Sequence, residues 1–300
     1  MNNSEIYQPI LAPRSHKVEI RGLVYHYLSW GAIDAPPLLL LHGWMDCASS
    51  FQFLVDRMAV NYHFIAPDWR GFGKTDWSGG SYYFPDYLAD LDALIEHFAG
   101  ADGRVSLVGH SMGGMIACLY SGIRPGRINK LVSIEGFGLP QTQPEQAPDR
   151  YRRWLDECAN PIPTKSFRTL GEVAARLIKS NSRLTIDKAN YLAPAMAVEA
   201  ADGFRYRADP RHRWVNPVLY RLEEAKACWK NISAPALWVE GGDSGIQKWL
   251  KEDNAQFAAR TECIRSLKIV SIPDAGHNIH HDQPAGLAAE IARFLHSSHE

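Results

Sequence analysis

No charge surplus marks this chain: 32 Lys and Arg stand against 33 Asp and Glu, for a net charge of −1. A protein that grips nucleic acid or an anionic membrane surface needs a cationic face. Arg150, Arg152 and Arg153 make only a short one, so nucleic acid is not an expected partner. Long hydrophobic runs are also missing. The run at 38–41 stops at His42-Gly43, far short of the roughly 20 residues that cross a bilayer, and no membrane span is expected. The opening Met-Asn-Asn-Ser-Glu lacks the basic and then apolar stretch of a secretory signal. Cysteine is scarce: Cys47, Cys118, Cys158, Cys228 and Cys263 are odd in number and scattered, with no Cys-x-x-Cys pair. Such usage fits reduced thiols and a cytoplasmic location better than a disulfide framework. No internal repeat is visible, and the sequence is silent on oligomeric state.

What is present is an ordinary globular composition, 46% hydrophobic and 22% charged over 300 residues. That is enough to bury a large core and excludes disorder. The first dozen residues read as a polar tail. Residues 17–31 alternate around Gly22, as a hairpin does. Short apolar runs at 37–41, 62–69, 104–109, 128–134, 236–239 and 267–272 read as strands. Segments 49–59, 84–99, 112–123, 246–263 and 284–296 carry helical periodicity. On 84–99 it places Leu88, Leu91, Leu94, Ile95 and Phe98 on one face. Buried strands alternating with helices predict an α/β fold with a mostly parallel sheet covered on both faces. From about 138 to 232 the alternation breaks into helical pieces without a clear strand, as a helical insertion would. Residues 1–137 and 233–300 then form the core domain, and 138–232 the insertion.

The chemistry centres on Gly109-His110-Ser111-Met112-Gly113-Gly114, between a predicted strand and a predicted helix. Gly-x-Ser-x-Gly in that context is a nucleophile elbow: a sharp turn lifts the serine oxygen above the sheet, and only small residues fit at the flanking positions. A serine hydroxyl needs a base. His277, in Asp-Ala-Gly-His-Asn just past the last strand, lies on a loop that a parallel sheet brings to the same edge as Ser111. His280 and His281 follow. A metal set of His277, His280 and His281 lacks cysteine partners and a clear carboxylate, and packing beside the loop is the better reading of His280 and His281. The imidazole also needs a carboxylate to orient it. Glu135, after one strand, and Asp243, after another, both sit on that edge, and generic physics does not choose between them. The main-chain N–H groups of Trp44 and Met112 are candidates for an oxyanion hole. His42 is expected to hold its loop by hydrogen bonding.

Together these residues resemble the α/β-hydrolase family over nearly the whole chain. The likeness is carried by Leu41-His42-Gly43-Trp44, by Pro-Asp-Trp-Arg-Gly-Phe-Gly-Lys-Thr at 67–75, by Gly-His-Ser-Met-Gly-Gly, by Gly276-His277 and by His-His-Asp-Gln-Pro at 280–284. The resemblance implies a mostly parallel eight-stranded sheet with a helical cap inserted after the sixth strand. It also bears on the acid. The commonest family position follows the seventh strand as Gly-x-x-Asp, and here that register falls on Ser244. The loop instead resembles small esterases whose acid follows the sixth strand, at the spacing Glu135 has from Ser111. Glu135 is therefore preferred and Asp243 is the alternative. Haloalkane dehalogenases and epoxide hydrolases of this fold use an Asp nucleophile, which Ser111 argues against.

The function expected is hydrolysis of a carboxylic ester of a small to medium hydrophobic substrate through an acyl-enzyme, without cofactor or metal. The alternatives are C–C bond hydrolysis, perhydrolysis or thioester hydrolysis by the same triad, and a non-catalytic ligand-binding protein. Trp154, Phe167, Tyr191, Phe204, Tyr206, Trp214, Tyr220 and Trp229 of the insertion could line an apolar pocket, although packing accounts for most of them. Arg205, Arg207, Arg211 and Arg213 read as a solvated face before they read as contacts to an anionic substrate.

Overall fold

Arg21 and Gly22 turn the chain back on itself between β1 (Arg14–Ile20) and β2 (Leu23–Trp30), with Ile20 paired to Leu23. Their φ values are 48° and 77°, the left-handed pair whose twist suits a two-residue hairpin. The computed structural model describes residues 6–59, 61–161 and 164–297. The residues bearing on a secretory signal, 1–5, lie outside the described ones.

In β3 (Pro37–Leu41), Leu38 and Leu40 point into one core and Leu39 and Leu41 into another, all with no exposed surface. A strand covered on both faces reads as a continuous apolar run for this reason. There follow α1 (Gln52–Val55), β4 (His63–Pro67), α2 (Phe84–Ala99), β5 (Val105–His110), α3 (Met112–Ile123) and β6 (Ile128–Ile134). The inserted segment carries α4 (Ala147–Ala159), β7 (Ser166–Phe167), α5 (Leu170–Ser180), α6 (Ile186–Met196), β8 (Ala197–Ala200), β9 (Gly203–Tyr206) and α7 (Leu222–Trp229). The chain ends through β10 (Ala236–Gly241), α8 (Ile246–Leu250), α9 (Asn254–Thr261), β11 (Leu267–Ile272), α10 (Ile279–Asp282) and α11 (Pro284–His296).

Eight strands form one sheet in the order β1-β2-β4-β3-β5-β6-β10-β11. The pairs β1/β2 and β2/β4 are antiparallel and the rest parallel. The parallel strands all end on one edge, where loops gather. On α2, Leu91, Leu94 and Ile95 are fully buried, each contributing about 1.5–3 kcal/mol of burial. Asp90 of the same helix is buried in a cluster with Arg70, Tyr25 and Arg21.

Several expectations needed correction. The insertion contains strands: β7, β9 and β8 form a separate antiparallel sheet. Segments of two to four residues are too short for alternation to be legible, and their pairing is set by tertiary neighbours. The helix expected at 246–263 breaks at Lys251, where φ is 59°. It restarts behind a capping box of Asp253 and Gln256. The helix expected at 49–59 is reduced to a 3-10 turn and α1. The described part of the N-terminal tail is tied down. The Tyr7 hydroxyl and the Leu11 N–H both donate to Asp56, at 2.8 Å each, and the Tyr7 ring meets Phe53 edge-on.

The insertion has its own apolar cluster, with Phe167, Val173, Leu184, Ala189 and Leu192 closing on Phe53. A second anchor is His212, whose imidazole stacks between Phe72 and Tyr82 with centroids 3.7 Å from each. Among the described residues no helix is long and apolar enough to cross a membrane.

Candidate active site

Ser111 sits between the last residue of β5 and the first of α3 with φ 50° and ψ −116°, a conformation that costs a non-glycine residue about 1–3 kcal/mol. Its neighbours make room for the turn. A Cβ on Gly109 would stand 2.4 Å from the Gly113 carbonyl oxygen, and one on Gly113 would stand 2.0 Å from that of Leu41. Neither contact is tolerable, which is the steric reason for the glycine pattern.

The loop after β3 closes on the same point. A Cβ on Gly43 would lie 2.9 Å from Nδ1 of His110 and 3.2 Å from the Ser111 Cβ, so a side chain there would crowd both residues. His42 holds the loop from beneath. It is fully buried, its Nε2 accepts from the Trp69 N–H at 2.9 Å, and its Nδ1–H donates to the Gly43 carbonyl at 2.8 Å. Trp44 follows, its side chain exposed and its indole N–H on the His212 carbonyl. Met112, buried, opens α3. The main-chain N–H groups of Trp44 and Met112 carry no hydrogen bond among the described residues, and the dipole of α3 favours negative charge near its first residue.

Across the sheet edge, Glu135 follows β6 with φ 54° and is buried. Its Oε1 accepts from the Gly241 N–H at 2.7 Å, and its Oε2 accepts from Nδ1 of His277 at 3.3 Å. The first bond fixes the carboxylate and the second orients the imidazole, whose side chain is 47% exposed and faces the cavity. Asp243 is engaged elsewhere: exposed, it pairs with Arg183 of the insertion at 2.8 Å. The fold thus sets Ser111 and His277 in one cavity lining with Glu135 behind the imidazole, while Asp243 is outside that lining and pairs with Arg183.

His110 is a participant that sequence reasoning missed. Buried below Ser111, it donates from Nε2 to the main-chain carbonyl of His277 at 2.9 Å. Burial and the neighbouring imidazoles push its pKa well below the ordinary histidine value, so it is neutral. Being the variable residue of the elbow motif, it gave no signal in the sequence.

His280 and His281 are buried behind this loop. His281 Nε2 meets the Ser50 hydroxyl at 2.6 Å, and His280 packs on Phe51 and His110. The donor atoms of Asp46, His280 and His281 lie within 4.8 Å of one another. They are the described groups that could hold a cation, with Asp46 where the sequence reading had His277. Burial opposes the charged form of Asp46, but hydrogen bonding and the surrounding histidines outweigh it and hold the pKa low.

Above Ser111 opens a cavity of about 660 Å³, within the usual range for small-molecule sites. Trp44, His110, Ser111 and His277 form its floor, and the insertion supplies Phe167, Leu177, Leu184, Leu192, Met196 and Tyr206. Of the aromatic residues singled out in the insertion, Phe167 and Tyr206 line it. Tyr191 and Phe204 pack in the insertion's own cluster, and Trp229 is buried in the main core with its ring tilted against Phe137.

The match to known proteins follows this geometry. The family model described as the alpha/beta hydrolase fold matches residues 36–284. The chain is 25% identical over 287 residues to a human protein named serine hydrolase-like protein 2, covering 90% of each. It is 26% identical over 292 residues to a Bacillus subtilis protein named AB hydrolase superfamily protein YfhM, covering 93% of this chain and 96% of that one. Among solved structures, the thioesterase domain from the curacin biosynthetic pathway superposes with a TM-score of 0.83 at 25% identity, covering 93% of this chain and 99% of the other. With its sheet, its elbow and a family match that takes in most of its length, the chain belongs to the α/β hydrolase fold family.

Proposed function

We propose that this protein is a serine hydrolase that cleaves a carboxylic ester of a small to medium hydrophobic substrate through an acyl-enzyme. The observation that carries the reading is the 3.3 Å contact between Nδ1 of His277 and Oε2 of Glu135 at the floor of the cavity that holds Ser111. Nδ1 is occupied as a donor, which leaves Nε2 free to act as a base. Nε2 takes the Ser111 proton as Oγ attacks the ester carbonyl, and the Trp44 and Met112 N–H groups receive the negative oxygen. Such donors lower the barrier by about 3 kcal/mol each. The C–O bond then breaks, His277 gives its proton to the leaving alkoxide, and a water activated by the same imidazole releases the acid. Glu135 holds the ring and stabilises its cation, and Asp243 takes no part. This chemistry draws on no cofactor or metal.

Residues 138–232 act in this reading as a cap that sets the substrate, with 1–137 and 233–300 as the core. The apolar side chains the insertion sends into the cavity support an acyl group of some length. The five cysteines, unpaired in the fold, support a reducing, cytoplasmic setting.

Hydrolysis of p-nitrophenyl esters, from acetyl to long acyl, by wild type and by Ser111→Ala tests the proposal. Turnover in the wild type and its loss in the variant are expected, and the best chain length measures the cavity. The likeness to a thioesterase domain favours a second reading, hydrolysis of an acyl thioester. Turnover of an acyl thioester without turnover of the matching oxygen ester would select it. Ligand binding that Ser111→Ala leaves intact, with no turnover of any ester or thioester, would instead select a binding protein.

A further inference from the structure

Three cations ring the insertion side of the cavity: Lys165, Arg176 and Arg213. They come from separate stretches, Lys165 just before β7, Arg176 from α5 and Arg213 from the turn after β9. Tyr206 lines the same space; burial raises its pKa, and the Arg176 and Arg213 guanidinium groups oppose that rise. Elsewhere on the insertion, arginines sit beside carboxylates: Arg153 with Glu157, Arg168 with Glu172, Arg183 with Asp243, Arg205 with Asp202. None of the three at the cavity makes an ion pair within 4.0 Å among the described residues, although Lys165 lies over the Phe167 ring and its charge reaches Glu172. Asp46, the carboxylate lining this space, is turned to His280 and to the Cys47 N–H.

The same lining carries apolar side chains from Phe167, Leu177, Leu184, Leu192 and Met196, with Ser180 and Asn181 beside them. The cavity thus combines a serine, apolar side chains and three cations, and its two guanidinium groups can each offer a forked pair of N–H donors to a carboxylate or a phosphate.

We infer that Lys165, Arg176 and Arg213 form an anion subsite, and that the substrate carries an oxyanion group separated by an apolar spacer from the carbonyl that Ser111 attacks. The inference rests on the hydrolase reading for what happens at Ser111, but not for binding. A neutral lipid-like ester would leave three cations facing an apolar chain. A half-ester of a dicarboxylic acid, or an acyl chain ending in phosphate, offers a partner to the serine, to the apolar lining and to the cations.

The test separates binding from turnover. Affinity of the full-length Ser111→Ala protein is measured by calorimetry for three probes: octanedioic acid monomethyl ester, octyl phosphate and the neutral dimethyl octanedioate. The charged probes should bind at least about tenfold more tightly than the neutral one at low salt, and the gap should narrow at high salt as screening grows. Arg176→Gln with Arg213→Gln, both exposed positions where folding is not at stake, should bring the ratio close to one. If octyl phosphate exceeds the half-ester, the subsite is for phosphate; the reverse order makes it a carboxylate site. Equal binding of charged and neutral probes, no binding of the charged ones, or a preference that survives the double substitution overturns the inference. Wild-type turnover of the p-nitrophenyl half-ester of octanedioic acid is read separately. Its absence, with the binding preference intact, would count against the hydrolase reading and leave the anion subsite standing.

Discussion

The side chain of His110 is bonded to the backbone of His277: Nε2–H of the first donates to the carbonyl of the second at 2.9 Å. The residue next to Ser111 therefore holds the loop that carries the His277 imidazole, and the turn at Ser111 and that loop are tied together. A carbonyl accepts only, so this bond fixes the His110 tautomer, and burial keeps the ring neutral.

Replacing His110 with alanine removes that donor. His277 keeps Glu135 but loses the hold on its own backbone. A displacement of about 1 Å of a catalytic group costs about a hundredfold in rate. His110→Ala should lose ten- to a hundredfold in kcat/KM for a p-nitrophenyl ester, and His110→Gln, which can still donate, should regain part of it. A merely structural role would lower the melting temperature of both variants and leave kcat/KM of the folded fraction unchanged.

The two carboxylates should separate cleanly. In comparable sites an amide in place of the acid lowers kcat by about 10⁴-fold, so Glu135→Gln should lose several orders of magnitude. Asp243→Asn breaks only an exposed pair with Arg183, worth less than about 1 kcal/mol, and should stay within twofold of wild type. Equal and small losses in both would remove the triad assignment.

Gly113→Ala tests the elbow's sterics. The new Cβ would meet the Leu41 carbonyl oxygen at 2.0 Å, and β3 and α3 must part to admit it. Overpacking of this kind costs about 1–3 kcal/mol. The urea midpoint should fall and turnover should be lost. A variant as stable and as active as wild type would show that the glycine is not required.

Stability should weaken toward acid through His212. Burial between Phe72 and Tyr82 lowers its pKa to about 3, against about 6.5 when unfolded. The unfolded chain therefore takes up the proton first. The contribution is complete above about pH 6.5 and is lost as the pH falls from there toward 3, at up to about 1.4 kcal/mol per pH unit. His212→Phe keeps the stack without the titration. Urea midpoints measured from pH 7 to pH 4 should fall less steeply in the variant than in the wild type. Parallel curves would show that His212 does not titrate in this range.

Much of this protein is legible one residue at a time because the requirement is local. The apolar run of β3 follows from cover on both faces. The Arg21-Gly22 turn follows from the left-handed region, and the Gly-x-Ser-x-Gly turn from which positions tolerate a Cβ. Such constraints act between neighbours in the chain; the order of the strands in the sheet, with β4 between β2 and β3 and β10 beside β6, does not follow from them. What lies between distant residues was decided only by folding. Glu135 and Asp243 both stand on the carboxyl edge of the sheet, and the resemblance to small esterases, not local physics, preferred the first. Which of them faces His277 depends on side-chain direction: Glu135 reaches its Nδ1, and Asp243 pairs with Arg183 of the insertion. The grip of His110 on the His277 carbonyl, the anchoring of Tyr7 on Asp56, and the short antiparallel sheet of the insertion are of the same kind. Each pairs segments far apart in sequence, where hydrogen-bonding capacity is general to many residues and only the packed chain selects the partner.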